Sequence, residues 1–381
     1  TTLTVNGDFT FSVPLYLAGN LSVFLPGGSG TNILEFGGNV SLANTCRFSG
    51  DRFGVGADPT IRLTGASATF TVPSVVWLGT GNETNILAKW EIPVGASITL
   101  PSGSSIACSN NRNFTLNGTL IAQDGAEMIA SVTGPGSGTS NLIMGTNAIL
   151  RIGDVHGMGT GTLIGSNPLL PPPNAPTFFR QQSPFSGIPN GWNLTSINTA
   201  GTIDYNGTAL QTITARNSSA LYPRYHRLTI SGGDKTLEST NGSVFVNDQL
   251  TLQGGIVSSV NASDVVRMLN TATGAITRSA GHINARLERT LTGTGTEDYF
   301  YPIGDADDYR PLTLNDVTAS GAIIGFREIR QSPRAAGGTF PPSPGEVSNV
   351  RYWLGSLVSG TWTSAGSISL DYGPNLSLIH I

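Results

Sequence analysis

Apolar and polar residues alternate in short runs along nearly the whole chain. In "TIRLTGASATFTV" (60–72) and "ASITLPSGSSIAC" (96–108), two such runs are joined by small turn residues. A period of two places successive side chains on opposite faces of a strand. No convincing amphipathic helical run of 12 residues accompanies these strands. The pattern therefore predicts an all-β protein built from short strands and turns.

A longer repeat is superimposed on this alternation. Its copies are "GSGTNIL" (28–34), "GNETNIL" (81–87) and "GTSNLIM" (138–144). The aligned asparagines are Asn32, Asn85 and Asn141, with spacings of 53 (85 − 32) and 56 (141 − 85). Such a period is typical of stacked units that share one continuous core. We interpret residues 1–165 as a β-solenoid, most simply a right-handed parallel β-helix. A Greek-key sandwich is the alternative, because short strands with turn signals suit that fold too.

The texture changes twice further along the chain. Six prolines fall between 168 and 184, and proline removes hydrogen-bond donors from a sheet. We therefore predict a Pro-rich linker over 166–200, or a long excursion there between two β blocks, and a second solenoid-like β block over 201–295. Longer strands with more aromatic residues then predict an incomplete β-sandwich over 296–381.

The composition narrows the class of partner. Only 12 % of the 381 residues are charged and the net charge is −4, whereas roughly 25 % charged residues is usual. No basic patch stands out, which argues against nucleic acid as a partner. No run of 18 apolar residues occurs, so we expect no membrane-spanning helix.

The two cysteines, Cys46 and Cys108, lie 62 positions apart. This spacing excludes a CxxC metal site and a dense disulfide scaffold. Two interpretations remain open: a single disulfide formed in an oxidising compartment, or two small buried apolar residues.

Residues 201–315 carry a resemblance to a known family. The phrases are "GTIDYNGTALQTI", "YHRLTISGGDKTL", "VFVNDQLTLQGGIV", "GAITRSAGHINARLERTL" and "YFYPIGDADDYRPLTL", in that order. They resemble the large secreted surface proteins of Bacteroidota that the type IX secretion system exports. The resemblance implies an adhesin-like, β-rich protein that is extracellular or on the outer cell surface. The last six residues, "LSLIHI", resemble a translated adapter sequence from a metagenomic assembly, so we expect the natural chain to be longer.

The motifs of this family look structural, and none brings catalytic residues to this sequence. The resemblance implies that Gly232 and Gly233 form a turn and that Lys235 lies on an exposed strand. Pro302 and Gly304 are expected at the end of a strand.

The best candidate for catalysis is "RIGDVHGMG", which contains Arg151, Asp154 and His156. If this segment is a strand, Asp154 and His156 point to the same face. The pair could serve acid–base chemistry or bind a metal, but it lacks the third partner that such sites need. The simpler interpretation is a solvated strand end before a Gly-rich turn.

A second polar row occurs in "GHINARLERT", where His282, Asn284, Arg286 and Glu288 alternate with apolar residues. The row could hold a sugar or a carboxylate. More simply, it is the wet side of a half-buried strand.

The segment "GDADDY" clusters Asp305, Asp307 and Asp308. Three carboxylates around a turn can bind Ca²⁺, which takes six to eight oxygen ligands. The alternative is a solvated loop, because Asp-rich turns are common without any metal.

Among the five tryptophans, Trp192 follows the Pro-rich segment and is the candidate for an exposed, sugar-binding ring. Taken together, these features predict a non-enzymatic surface scaffold that displays or adheres and that binds polysaccharide. The expected partner is a polysaccharide or the glycans of a cell surface. The alternative is a polysaccharide-degrading β-helix enzyme, or the accessory stalk of one. A third possibility is a pure spacer whose active domain belongs to the longer natural chain.

Overall fold

The computed structural model describes fourteen stretches of the chain. They are residues 2–5, 7, 9–11, 33–42, 60–72, 89–109, 112–131, 139–158, 178–182, 191–215, 224–238, 242–332, 337 and 351–371. Within them almost every element is a β-strand, and the helical elements are two short 3-10 turns, Thr195–Asn198 and Thr273–Ala275. In this part of the chain no helix is long and apolar enough to cross a membrane. The prediction of an all-β protein is confirmed.

The chain divides into two compact units. Unit 1 comprises Thr1–Thr214 and Ser218–His226, and unit 2 comprises Ala215–Asn217 and Arg227–Ile381. The strands of unit 1 are β1 (Thr2–Val5), β2 (Phe9–Phe11), β3 (Ile33–Phe36), β4 (Val40–Leu42), β5 (Thr60–Leu63), β6 (Ala68–Thr71), β7 (Lys89–Ile92), β8 (Ser97–Leu100), β9 (Ser105–Ser109), β10 (Asn113–Leu116), β11 (Thr119–Ala122), β12 (Glu127–Ser131), β13 (Thr139–Met144), β14 (Ile149–Ile152), β15 (Phe179–Gln182), β16 (Gly191–Asn193), β17 (Thr202–Tyr205) and β18 (Gln211–Ile213).

Unit 1 is a β-solenoid whose strands pair in parallel. The first sheet has the order β1-β3-β5-β7-β10-β13-β16. The second runs β2-β4-β6-β8-β11-β14-β17. A third, shorter sheet has the order β15-β12-β9. Each turn of the chain adds one strand to each sheet that it visits, and the solenoid has about 6 turns. The predicted solenoid is therefore confirmed.

The repeat in the sequence spans two of these turns. Leu34 pairs with Ile61, and Ile61 pairs with Trp90. The distance along the chain over two turns is thus 56 residues (90 − 34), close to the repeat of 53 and 56. Asn32 and Asn85 lie outside the described residues, whereas Asn141 lies in β13.

The interior of unit 1 is formed by apolar columns that run across the strands. In the first sheet Ile61, Trp90 and Phe114 occupy successive positions and are buried. In the second sheet Leu120 and Leu150 do the same. The strands bury every second residue, so that polar side chains between them face outwards. Burial of these side chains is the main favourable term holding the turns together.

The predicted linker contains strands of the solenoid. β15 pairs with β12, and β16 pairs with β13, in parallel register. Both strands lie within 166–200, so the interpretation of that whole segment as a linker is wrong for 178–182 and 191–200. Proline density misled the prediction because the prolines, at 168–184, flank or precede these strands rather than lying in them.

Unit 2 continues with parallel pairing and then changes to antiparallel pairing. Its strands, with one that begins at the end of unit 1, are β19 (Tyr225–Ile230), β20 (Lys235–Leu237), β21 (Val244–Ser258), β22 (Val265–Met268), β23 (Ile276–Asn284), β24 (Arg286–Tyr301), β25 (Leu312–Ile329), β26 (Tyr352–Ser364) and β27 (Ser367–Leu370). β20, β22 and β23 pair with β21 in parallel, and β22 also pairs with β24. β25 then pairs antiparallel with β24, β26 and β27. These long antiparallel strands lie in the region predicted as a β-sandwich, but a sandwich is not confirmed.

Two expectations about side chains in unit 2 are wrong. Lys235 is buried, and its Nζ donates a hydrogen bond to the Gly233 carbonyl at 2.6 Å. The row of solvated side chains predicted for "GHINARLERT" does not lie on one continuous strand, because β23 ends before Ala285 and β24 begins after it. His282 and Glu288, two of its four members, are buried. Gly232 does lie in a turn, with φ +77°.

Candidate functional site

Asp154 and His156 come together in a turn that follows β14. Asp154 Oδ1 accepts a hydrogen bond from the His156 N–H at 2.8 Å and lies 3.5 Å from His156 Nδ1. The two residues therefore meet through a turn, and the prediction that they share a strand face is wrong. Gly157 closes the turn with φ +72°, and a Cβ there would lie 2.2 Å from the Thr212 carbonyl oxygen. This position consequently requires glycine.

Burial sets the chemistry of the Asp154 carboxyl. The residue is 1 % exposed, and burial raises its pKa to about 6 although the His156 N–H opposes this. Desolvation disfavours the charged carboxylate, which explains the direction. Gln211, which the sequence analysis missed, donates from Nε2 to the carbonyl oxygens of Ile152 (2.6 Å) and Asp154 (2.9 Å). Nothing in the sequence around Gln211 marks it as the residue that holds this turn.

The third catalytic candidate has a different partner. Arg151 lies on β14, opposite Asp204 of β17, and its Nε is 3.3 Å from Asp204 Oδ2. Within the described residues, the recorded ion pairs join Arg151 to Asp204 and Asp154 to His156. The structure therefore does not gather the three candidates into one catalytic constellation.

The Asp-rich segment of unit 2 forms a tight turn. Asp305 Oδ1 accepts hydrogen bonds from the N–H groups of Asp307 (2.8 Å) and Asp308 (2.7 Å). Burial alone would raise the pKa of Asp305, but these two N–H groups and the nearby Arg351 hold it below its ordinary value. One oxygen of the central carboxylate is thus already committed to the backbone.

Arginines, not oxygen ligands, surround this turn. Asp308 Oδ2 lies 3.0 Å from Arg310 Nη2 and 3.4 Å from Arg351 Nη2. Asp307 pairs with Arg330. In the described ranges no group of three His, Cys, Asp or Glu residues has an arrangement that could hold a metal ion. These contacts argue against Ca²⁺ at the turn, because the positively charged guanidinium groups of the arginines would repel the calcium ion.

Trp192 does not offer an exposed ring. It is 2 % exposed, its indole Nε1–H donates to the Met128 carbonyl at 3.1 Å, and its ring packs edge-on against Phe179. The expectation of exposure is wrong because β16 carries Trp192 into the interior of the solenoid. A segment rich in proline can still return to the core.

Cys108 is buried, and burial raises the pKa of its thiol to about 12. Such a thiol is inert at neutral pH, because the thiolate is the reactive form. Cys46 lies outside the described residues, so the predicted alternatives for the two cysteines stay as predictions.

The outward faces of unit 1 carry ladders of polar side chains. On the first sheet Asn113, Asn141 and Asn193 stand on successive strands. Asn141 Nδ2 donates to Asn113 Oδ1 at 3.0 Å, and Asn193 Nδ2 donates to Asn141 Oδ1 at 3.1 Å. Asn141 belongs to the sequence repeat, whereas the repeat alone did not predict the ladder. The ladder could have been predicted from the alternation along the strands, because all three asparagines occupy outward positions.

Hydroxyl groups dominate the outward face of the second sheet. The residues aligned across its strands in one row are Ser97, Thr119, Ile149 and Thr202, and the pair Thr69 and Thr99 stands in the next row. All of them are partly exposed. The second row continues from Thr99 through Ile121 to the Arg151–Asp204 ion pair, so this face combines hydroxyl groups with one ion pair.

No family model matches the chain, and neither the curated proteins nor the solved structures compared with it give a match. Its function is therefore inferred from its own residues.

Proposed function

We propose that the protein is a non-enzymatic surface scaffold, adhesin-like and extracellular or on the outer cell surface, that binds polysaccharide. The observation that carries this proposal is the repeated polar face of the solenoid. The Asn113–Asn141–Asn193 ladder and the Ser/Thr rows present amide and hydroxyl groups on successive strands.

The spacing of these groups suits a polymer. Neighbouring strands lie about 4.8 Å apart, so the same donors and acceptors recur along the solenoid axis. Amides and hydroxyls both donate and accept hydrogen bonds, as sugar hydroxyls do. Many weak contacts along one chain add up through effective concentration, without any single deep pocket.

The contacts of the catalytic candidates support a non-enzymatic role. Arg151 is paired with Asp204, and Asp154 is buried under its own turn. A polysaccharide hydrolase needs two carboxyl groups that flank the scissile bond. A second carboxyl, Asp124, adds to the rise in the pKa of Asp154, and its Oδ1 accepts from the Val155 N–H at 3.2 Å. Asp154 itself is 1 % exposed, so the two carboxyl groups do not flank an accessible bond.

The second candidate function is a polysaccharide-degrading enzyme. One observation favours it: the pKa of Asp154, raised to about 6, suits a general acid near neutral pH. It stands second because the carboxyl is 1 % exposed and a polymer has to reach it.

Affinity electrophoresis tests both functions in one experiment. The purified chain is run in native gels cast with pectin, alginate, xylan, a soluble chitin derivative or mucin, and the gels are then stained for polysaccharide. We expect retarded migration in at least one gel and no cleared zone. A cleared zone would refute the non-enzymatic role, and Asp154→Asn would then be expected to abolish it. Unchanged migration in every gel would contradict polysaccharide binding.

A pair of variants locates the binding face. Thr119→Glu places a charged, bulky side chain in the middle of the hydroxyl face of the second sheet. Val94→Glu makes a comparable charge change at a turn residue that is 80 % exposed. We expect Thr119→Glu to lose most of the retardation and Val94→Glu to keep it. Equal loss in both variants would indicate a general charge effect and not a binding face.

A further inference from the structure

The outward face of one sheet in unit 2 has an excess of positive charge. The sheet consists of the N-terminal part of β21, then β22, β24, β25 and β26, and one row across it is Phe245, Arg267, Glu288, Gly325 and Ser356. We name the arginine face after its charged members, Arg267, Arg286, Glu288 and Arg327. Three arginines therefore share the face with one glutamate.

The glutamate is used up by two of the arginines. Glu288 is 1 % exposed, and its Oε2 lies 2.5 Å from both Nε and Nη2 of Arg267. Its Oε1 lies 2.8 Å from Arg286 Nη2. Gly325 makes room for this arrangement, because a Cβ there would lie 2.8 Å from Arg286 Nε. Both carboxylate oxygens are thus engaged.

Arg327 remains as the surplus cation. Because Leu287 pairs with Phe326, the antiparallel register sets Arg327 directly opposite Arg286. In the described part of the chain, the Nε atoms of Arg327 and Arg286 are buried and donate to no acceptor, so an anion from solution meets the outer nitrogens of these side chains. Both side chains are partly exposed. Two neighbouring guanidinium groups whose charges are only partly neutralised by Glu288 attract an anion from solution.

The surroundings of this pair fit a sugar ring. Leu354 pairs with Arg327 across β25 and β26 and is 55 % exposed, and Tyr352 stands on the same side of β26 two positions earlier. Phe245 lies under the Arg267 guanidinium, 4.6 Å from its ring centre, and keeps that group flat on the sheet. An acidic sugar has an apolar ring face and a carboxylate group. The apolar side chains beside the arginines match the ring face, and the guanidinium groups match the carboxylate.

We infer that the arginine face binds the carboxylate groups of an acidic, uronate-containing polysaccharide through Arg327 and Arg286. This inference rests on the proposed function and names the class of polysaccharide. Among anionic ligands a carboxylate is favoured, because its two oxygens match the planar fork of N–H donors of a guanidinium group. Along a polyuronate chain, further carboxylates are available to repeat the contact.

The test compares three variants in native gels cast with graded amounts of alginate, polygalacturonate, neutral xylan or dextran sulfate. Arg327→Gln removes the surplus charge, and Arg327→Lys keeps the charge without the fork. Arg227→Gln is the matched control, because it removes the same charge from a partly exposed pair with Asp248 in the same unit. We expect Arg327→Gln to weaken retardation by alginate and polygalacturonate at least five-fold, Arg327→Lys by an intermediate factor, and Arg227→Gln by less than two-fold.

The outcomes separate this inference from the proposed function. If the wild-type chain is retarded by acidic polysaccharide and Arg327→Gln is retarded equally, the arginine face is not the site, whereas polysaccharide binding stands. If no gel retards the wild-type chain, both fail. If Arg327→Gln and Arg327→Lys weaken retardation by dextran sulfate as strongly as by alginate, selectivity for carboxylate is refuted. Retardation by neutral xylan should be the same in all variants, and equal far-UV circular dichroism spectra check that the variants are folded.

Discussion

The interiors of the two units differ in how much charge they bury. In unit 1 the buried side chains form apolar columns, and its buried ionisable groups in the described residues are Asp154, Asp204 and the Cys108 thiol besides tyrosines. Unit 2 has strands of the same kind but buries many more ionisable side chains, which are Lys235, Asp264, His282, Glu288, Arg289, Asp305, Arg310, Glu328 and Arg351. The two units thus stabilise similar strand pairing by different means.

This difference teaches what each unit tolerates. An apolar column loses free energy roughly in proportion to the volume removed. A buried ion instead depends on particular partners, as when Arg289 donates to the carbonyl oxygens of Phe300, Ala272 and Thr273. Removing one partner leaves a charge or a carbonyl without compensation. We therefore expect unit 1 to respond to changes of size and unit 2 to changes of charge and pH.

The largest effect is expected from emptying the apolar column of unit 1. Trp90→Ala should lower the free energy of unfolding by about 3–5 kcal/mol. Trp90 is fully buried, packs edge-on against Phe70 at 5.7 Å, and donates from Nε1 to the Ala107 carbonyl at 2.9 Å. The loss should not depend on pH between 5 and 8. Urea unfolding followed by circular dichroism measures it.

Trp353→Ala is the matched control for this prediction. Trp353 is partly exposed and its Nε1 donates at 3.4 Å to the Arg310 carbonyl. The same truncation should therefore cost less than half as much as Trp90→Ala. Equal losses at the two positions would show that burial in the column does not decide the cost.

The next effect concerns the buried carboxyl of Glu328 in unit 2. Burial is the main cause that raises the pKa of Glu328 to about 7, and the negative charge of Asp305 adds to the rise. The charges of Arg351 and Arg310 oppose it. Its Oε1 accepts from Arg351 Nη1 at 3.0 Å, and its Oε2 has no partner among the described residues. Because the folded pKa lies above the ordinary value, the protonated form stabilises the fold. This contribution is complete below about pH 4.5 and is lost as pH rises through 7.

Glu328→Gln isolates that contribution. Between pH 4.5 and 8 the free energy of unfolding of the wild-type chain should fall by up to about 3 kcal/mol more than that of the variant. Urea unfolding at intervals of half a pH unit measures the difference. Asp154→Asn is the comparison from unit 1, where the same kind of difference should end near pH 6, since the pKa of Asp154 is raised only to about 6. Parallel curves for the wild-type chain and Glu328→Gln would contradict the prediction.

Strand pattern predicted the fold of this protein well because alternation is a local property. Runs such as 60–72 and 96–108 fold as expected into β5 with β6 and β8 with β9. The path of the chain between turns was harder to predict. Trp192 returns to the core after a Pro-rich stretch, and its burial depends on β13 and β12, which are remote in sequence.

Charged side chains were the least predictable part of the candidate sites. Lys235 and Glu288 occupy positions that sequence patterns assign to a solvated face, yet both are buried. What decides their burial is the neighbour on the next strand, such as Arg267 beside Glu288, 21 residues earlier. Alternation reports which face a residue is on, but it carries no information about what covers that face.

The smallest effect on the free energy of unfolding is expected on the outward face of unit 1, where the ion pairs are partly exposed to solvent. Arg62 lies between Glu35 and Glu91 on neighbouring strands, with Nη1 3.5 Å from Glu35 Oε2 and Nε 2.8 Å from Glu91 Oε2. Because these side chains are partly exposed, Arg62→Gln should cost less than about 1 kcal/mol, and 1 M salt should remove most of that difference. The same change at Arg267, whose partner Glu288 is buried, should cost about 3 kcal/mol and should be less sensitive to salt. Urea unfolding of both variants at 0.05 M and 1 M NaCl compares the two pairs. A salt-sensitive loss of similar size at both positions would contradict the prediction. It would mean that the burial of Glu288 does not distinguish its pair with Arg267 from the partly exposed pairs of Arg62 with Glu35 and Glu91.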